Sequence, residues 1–178
     1  MIQRRFALVG ISGVGKTTFL KGLGELIDFQ HLSAGSLIAE ARKKSDGERD
    51  GLRSNNIDEN QQLLVSGFML KVDPSAERII LDGHMIIHTQ GGVEVIDPSV
   101  FSGMAIEGII HLSAPPEQIE KNRLNDAMRQ RPNLSVKELS DHQGLSLSAT
   151  KSACEYLHIP FLEAATNDLH LARQFIIG

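Results

Sequence analysis

Residues Gly10-Ile11-Ser12-Gly13-Val14-Gly15-Lys16-Thr17 form a complete G-x-x-x-x-G-K-[ST] phosphate-binding loop. The apolar run Phe6–Val9 leads into it, and a helical pattern opens at Lys16. The motif works only between a strand and a helix, so it dictates a strand–loop–helix start to the fold. Glycines at 10, 13 and 15 let backbone N–H groups turn inward around an anion, because glycine alone adopts the needed dihedrals at low cost. The following helix points its positive dipole end at the same anion. Lys16 is placed to reach outer phosphates, and the Thr17 hydroxyl to hold Mg²⁺.

Strand and helix signals alternate along the rest of the chain, which implies parallel strands joined by crossover helices. The expected strands are Phe6–Gly10, Phe29–Leu32, Arg78–Leu81, Gly108–Ser113 and Phe161–Glu163. Helices are expected over Lys16–Ile27, Ala34–Lys44, from an Asp58 cap to about Lys71, and over Pro115–Arg129. Further helices are expected over Ser135–His142, Ser146–Leu157 and Asp168–Ile177. In the first, Phe19, Leu20, Leu23, Leu26 and Ile27 share one face. Ser45–Asn56 is polar and reads as a mobile surface loop. Two β-like runs around Gln90-Gly91-Gly92 within Met85–Ile96 signal a hairpin. The reading is an α/β fold with five parallel strands and helices on both faces. Such sheets bind ligands beyond the carboxyl ends of their strands, where the loop, Ser33 and Asp82 all fall.

At 178 residues the chain suits one domain with a substantial core. Its net charge of −4 argues against a broad nucleic-acid footprint, and the absence of Trp leaves little for base stacking. Cys154 is the single cysteine, so no intrachain disulfide forms; this fits a reducing, cytoplasmic setting. Beside Ala153 and Leu157 it reads as a buried structural thiol. The apolar stretch after Arg4-Arg5 is too short for a signal sequence, and no run of about 18 apolar residues exists to cross a membrane.

Several further residues carry candidate chemistry. Asp82 ends the strand Ile79-Ile80-Leu81, where a carboxylate can serve Mg²⁺ or cap a turn. Arg123, Arg129 and Arg131 cluster where guanidinium forks could neutralise a transferring phosphoryl group, or pair with Asp126 and Glu120 on a solvated face. Ser33-Ala34-Gly35-Ser36-Leu37 opens a helix with small residues and hydroxyls, which suits a second anion or an ordinary N-cap by Ser33 or Ser36. His84 either contacts an acceptor or is satisfied by a backbone group. His88, His111, His142, His158 and His170 have no metal-ligand spacing and read as structural or solvent-facing.

The loop Gly10–Thr18, Leu32–Leu37, the helix around Gln61 and Gln62, Leu81-Asp82-Gly83-His84 and the stretch Asn122–Pro132 together resemble the P-loop nucleoside monophosphate kinases, most closely the archaeal-type and atypical adenylate kinases. The resemblance runs through most of the chain. It implies the three-layer P-loop NTPase fold in a single domain, residues 1–178, with an acceptor-side insertion around 33–72 and a short lid around 123–134. It implies transfer of the ATP γ-phosphoryl to a small acceptor, a nucleoside monophosphate such as AMP, with Mg²⁺. Gly10, Ser12, Gly13, Val14, Gly15, Lys16, Thr17 and Thr18 would hold ATP, with Thr17 and Asp82 at the metal. Ser33, Gly35, Ser36, Arg53, Gln61 and His84 would face the acceptor, and Lys16, Arg123 and Arg129 would serve transfer. The sequence departs from the family in three places. His84-Met85-Ile86 stands where Phe-Pro-Arg usually follows Asp-Gly, Ser146-Leu147 stands where an Asn-Arg pair is usual, and the hairpin replaces a plainer loop. A kinase of a non-nucleotide hydroxyl compound and an ATP-dependent binding protein with weak ATPase activity are the alternatives.

Overall fold

The computed structural model describes residues 2–46, 57–89, 92–126 and 133–178. In chain order the elements are β1 (Arg4–Val9), α1 (Lys16–Gly24), β2 (Gln30–Ser33), α2 (Ala34–Asp46), α3 (Ile57–Lys71), β3 (Arg78–Asp82), β4 (Ile86–Thr89), β5 (Gly92–Val95), α4 (Ser99–Gly103), β6 (Gly108–Ser113), α5 (Pro116–Asn125), α6 (Val136–Leu157), β7 (Phe161–Ala165) and α7 (Leu169–Ile177).

Five parallel strands form one sheet in the order β2-β3-β1-β6-β7. Side chains of a strand alternate between faces, and β1 uses both. Phe6 and Leu8 pack with Phe19 and Leu23 of α1 and Ala172 and Ile176 of α7. Ala7 and Val9 pack with Phe68 of α3, Phe101 of α4 and Cys154 of α6. All four β1 residues are buried, as expected of a parallel sheet covered on both faces. The chain passes from β1 outward to β2 and β3, then crosses to β6 on the other side. The direction therefore reverses between β1 and β3, and a crevice opens at their carboxyl ends.

The hairpin appears as expected: β4 and β5 pair antiparallel, Ile86 opposite Val95 and Thr89 opposite Gly92, as a separate two-stranded sheet. Several boundaries differ from the sequence expectation. The helices expected over Ser135–His142 and Ser146–Leu157 are one helix of 22 residues. It starts with a capping box in which the Glu138 N–H donates to Ser135 Oγ and the Ser135 N–H to Glu138 Oε2. The segment between the two expected helices is helical, and there Gln143 bonds both backbone groups of Ala114 through its amide. Its buried face includes Ser146 and Thr150, so the apolar periodicity fades where the helix is most deeply set.

Helix α1 is regular only through Gly24, with the Leu26 and Ile27 N–H groups turning back to Leu23 O. Asp58 lies inside α3 rather than capping it. Helix α5 ends at Asn125 because Asp126 leaves helical dihedrals at φ −101°, ψ 71°. The short α4 has no counterpart in the sequence reading; the Asp97 carboxylate accepting from the Ser99 N–H starts it. Most of the expected loop Ser45–Asn56, with Arg53, lies outside the described residues, as do Arg129 and Arg131. Among the described residues no helix is long and apolar enough to cross a membrane.

Candidate functional site

The loop after β1 passes through Gly10 (φ 155°), Gly13 (φ 92°) and Gly15 (φ 109°), all in the region that favours glycine. At Gly10 a Cβ would stand 2.7 Å from the Leu112 carbonyl, so the backbone passes too close to β6 for any side chain. Gly15 forms the start of α1 without a side-chain cap, and the first turn carries no acidic residue. The first N–H groups of a helix have no intrahelical partner, so this end is built to receive an anion. Val14 sends its side chain into the core, leaving only its backbone for the loop.

Lys16 is 8% exposed and donates from Nζ to Gly10 O at 2.8 Å. His84 Nδ1 lies 2.8 Å from the same oxygen. A carbonyl only accepts, so this contact requires the proton on Nδ1. The tip of β3 is thereby tied to the start of the phosphate loop.

Ser33 and Asp82 are register partners at the ends of β2 and β3. In a parallel pair such neighbours project from the same face, and both line the cavity above the loop. His31, two residues before Ser33, brings Nε2 to 3.9 Å from Asp82 Oδ2. That cavity measures about 530 Å³ and also takes in Ser12, Gly13, Gly15, Lys16, Thr17, Thr18, Gly35, Ser36 and His84. A Cβ on Gly35 would meet no heavy atom within 4 Å, so its space is open.

Helix α5 closes the other side. Asn122 Nδ2 donates to Gly13 O at 2.8 Å, and a Cβ on Gly13 would run into Arg123 Cγ at 2.5 Å. Arg123 therefore lays its stem across the loop, while Asn122 and Asp126 line the cavity. Gln61 sits elsewhere, in a depression between α3 and α4 with Gln62, Ser66 and Asp97. Ser146, in the place of the usual Asn-Arg pair, is fully buried and its Oγ lies 3.0 Å from His111 Nε2. His111 is also fully buried. Burial first, then the charges of Lys16 and Lys151, lower its pKa to about 4, so it is neutral. His88 and His142 meet with ring centres 4.5 Å apart and planes tilted by 53°. Burial, His142 and Arg123 together lower the pKa of His88.

Sequence reasoning missed His31, Asn122 and Asp126 as site neighbours. The hints for Asn122 are its place beside Arg123 and its position at the start of the stretch Asn122–Pro132 that carries the family resemblance.

The donor set fits a hard divalent cation held mainly by substrate. Thr17 and Asp82 supply oxygen ligands to one cavity, and among the described residues no group of three or more His, Cys, Asp or Glu side chains could form a protein cage. Mg²⁺ commonly binds through one or two protein oxygens plus phosphates and water.

A parallel sheet with a glycine loop after its central strand, a buried lysine and a carboxylate on the adjacent strand define a P-loop protein of the three-layer α/β class. A family model described as the AAA domain matches residues 9–140. The chain belongs to this P-loop family, and adenylate kinases are among the proteins similar to it. It is 25% identical over 165 residues to an adenylate kinase of Methanoculleus marisnigri, spanning 88% of this chain and 86% of that one. It is 26% identical over 143 residues to an adenylate kinase of Thermoplasma acidophilum, spanning 80% and 78%. Among solved structures, TT1252 from Thermus thermophilus matches with TM-score 0.59 at 14% identity, covering 99% of this chain and 97% of that one. A gluconokinase from Sinorhizobium meliloti matches with TM-score 0.52 at 11% identity, covering 92% and 83%. At those identities the structures speak to fold alone.

Proposed function

We propose that this protein transfers the γ-phosphoryl of ATP to a small acceptor, with a nucleoside monophosphate such as AMP as the first choice. The observation that carries the reading is one cavity lined by Lys16, Thr17, Asp82 and Ser33–Ser36. Loop N–H groups and Lys16 would hold the phosphates, with Ser12, Gly13, Gly15 and Thr18 around them. Mg²⁺, held by Thr17 and through Asp82, would supply charge neutralisation at the phosphates. Ser33, Gly35, Ser36 and His84 would face the acceptor, with Arg53 as an outer contact; Gln61, in the separate depression between α3 and α4, would not. In the transfer, the bond between the γ-phosphorus and the bridging oxygen breaks as the acceptor oxygen bonds to phosphorus, and ADP leaves. Little covalent chemistry falls to the protein; its part is positioning and charge, with Arg123 and Arg129 in a lid over 123–134. The relatives named adenylate kinase support a monophosphate acceptor.

A second acceptor class has one specific observation behind it. His84-Met85-Ile86 follows Asp82-Gly83 where the related kinases carry an arginine for the acceptor phosphate. The hydroxyls, carboxylate and imidazole of that half also suit a neutral hydroxyl compound. A coupled assay with ATP, Mg²⁺ and a panel of monophosphates and polyhydroxyl compounds decides between them. Turnover of a monophosphate supports the main reading. Turnover of a polyhydroxyl compound alone replaces it with the second. Calorimetry with no magnesium-dependent ATP uptake by folded protein overturns both.

A further inference from the structure

We infer that Asn122 is a positioning residue for the phosphate loop, and that Gln118 orients it. The inference rests on reading the loop as a triphosphate site. Gly13 lies at the crown of the loop with φ 92°. Glycine there tolerates either orientation of the Gly13–Val14 peptide, whose N–H end makes a long 3.3 Å bond to Ile11 O. One orientation turns the Gly13 carbonyl away from the loop interior; the flipped one aims its oxygen at bound phosphate, where two negative ends repel. Asn122 Nδ2 grips the Gly13 oxygen at 2.8 Å and holds the first orientation.

The direction of that amide is itself determined. Gly13 O can only accept, so Asn122 must present its NH₂ group, and its Oδ1 then points back along α5. Gln118, one helical turn earlier, donates from Nε2 to that Oδ1 at 2.7 Å. Residues four apart share a helix face, so the relay Gln118 → Asn122 → Gly13 follows from α5 geometry. The Arg123 stem, which a Cβ on Gly13 would strike at 2.5 Å, keeps α5 seated on the loop. Nucleotide affinity is thereby linked to the seating of α5 through a residue that need not touch the nucleotide's reacting atoms.

The test is isothermal calorimetry of ATP with Mg²⁺ on the full chain, alongside thermal melts of each variant. Asn122→Ala should weaken ATP binding about 3- to 10-fold, the range of one lost hydrogen bond, while melting near the wild-type temperature. Gln118→Glu removes the donor and offers an acceptor. Asn122 should then turn its NH₂ group toward the introduced carboxylate and its oxygen toward Gly13, so this exposed substitution should weaken ATP comparably. Gln118→Ala in the Asn122→Ala background should add nothing, as coupling through one residue requires. In steady state the loss should fall on KM for ATP more than on kcat. Variants that bind ATP like the wild type overturn the inference while leaving the proposed function intact. Losses that add independently overturn the relay. Should Asn122→Ala fail to fold, Gln118→Glu alone carries the test: unchanged ATP affinity sinks the proposal. A wild-type protein that takes up no ATP overturns the functional reading first, and this inference with it.

Discussion

Gly35→Ala separates acceptor binding from stability. Gly35 occupies the first turn of α2 and lines the cavity shared with Lys16 and Asp82. It is absent from the positive-φ glycines, so an L-residue enters without backbone strain. A Cβ there meets no heavy atom within 4 Å, so there is no clash within the protein either. Replacing a helical glycine under those conditions stabilises by about 0.4–1 kcal/mol, chiefly by narrowing the unfolded ensemble. For a chain of this size that raises Tm by about 1–4 °C. Under the proposed function, the same methyl adds to the half of the cavity of about 530 Å³ that would take the acceptor. It should raise the acceptor KM by about 10-fold or more, since displacement of the reacting oxygen by about 1 Å is costly in rate. ATP affinity should stay within about 2-fold, because one surface methyl beyond the loop removes no phosphate donor. Melting curves, ATP calorimetry and a coupled kinetic assay read the three quantities separately. A stabilised variant with unchanged acceptor KM would show that Gly35 does not face the acceptor. A destabilised one would show that the space is not open or the backbone not relaxed.

Lys16→Ala should lower transfer by about 10²–10³-fold, the scale of losing one preorganised charge at the reacting group, as measured by ADP release at saturating ATP. His111 is held neutral, with its pKa lowered to about 4 from the ordinary value of 6.5. The unfolded chain therefore binds a proton that the native one excludes between those values, so its contribution to stability is present above about pH 6.5 and lost as pH falls toward 4. Urea midpoints should drop across that window by more in wild type than in His111→Gln; equal slopes would refute this. Burial raises the Cys154 thiol to about 11, so iodoacetamide at pH 8 should label it only after unfolding, as mass spectrometry would register.

The phosphate loop and the apolar runs of β1, β3 and β6 are legible from residue order alone. Local dihedral demands and strand periodicity are properties of short segments, so the five strands, the hairpin and the start of α1 came from neighbouring residues. The places where reading failed share a physical cause. Helix α6 reads as two helices, and its continuity rests on partners outside the local sequence: Gln143 bonds both backbone groups of Ala114 and the buried Ser146 meets His111 on β6, while Thr150 bonds back to the Ser146 carbonyl.

The site divides the same way. Gly10, Gly13, Gly15, Lys16 and Thr17 announce a phosphate cradle by spacing, because one continuous segment forms it. Which residues meet across that cradle is a matter of strand order. The pairing of β2 with β3 sets Ser33 beside Asp82, the placement of β3 next to β1 brings His84 onto Gly10, and the packing of α5 seats Asn122 on Gly13. Those pairs lie far apart in the chain, and no local pattern encodes them. They exist because the packed sheet and its covering helices carry separate stretches of backbone to one end of the molecule.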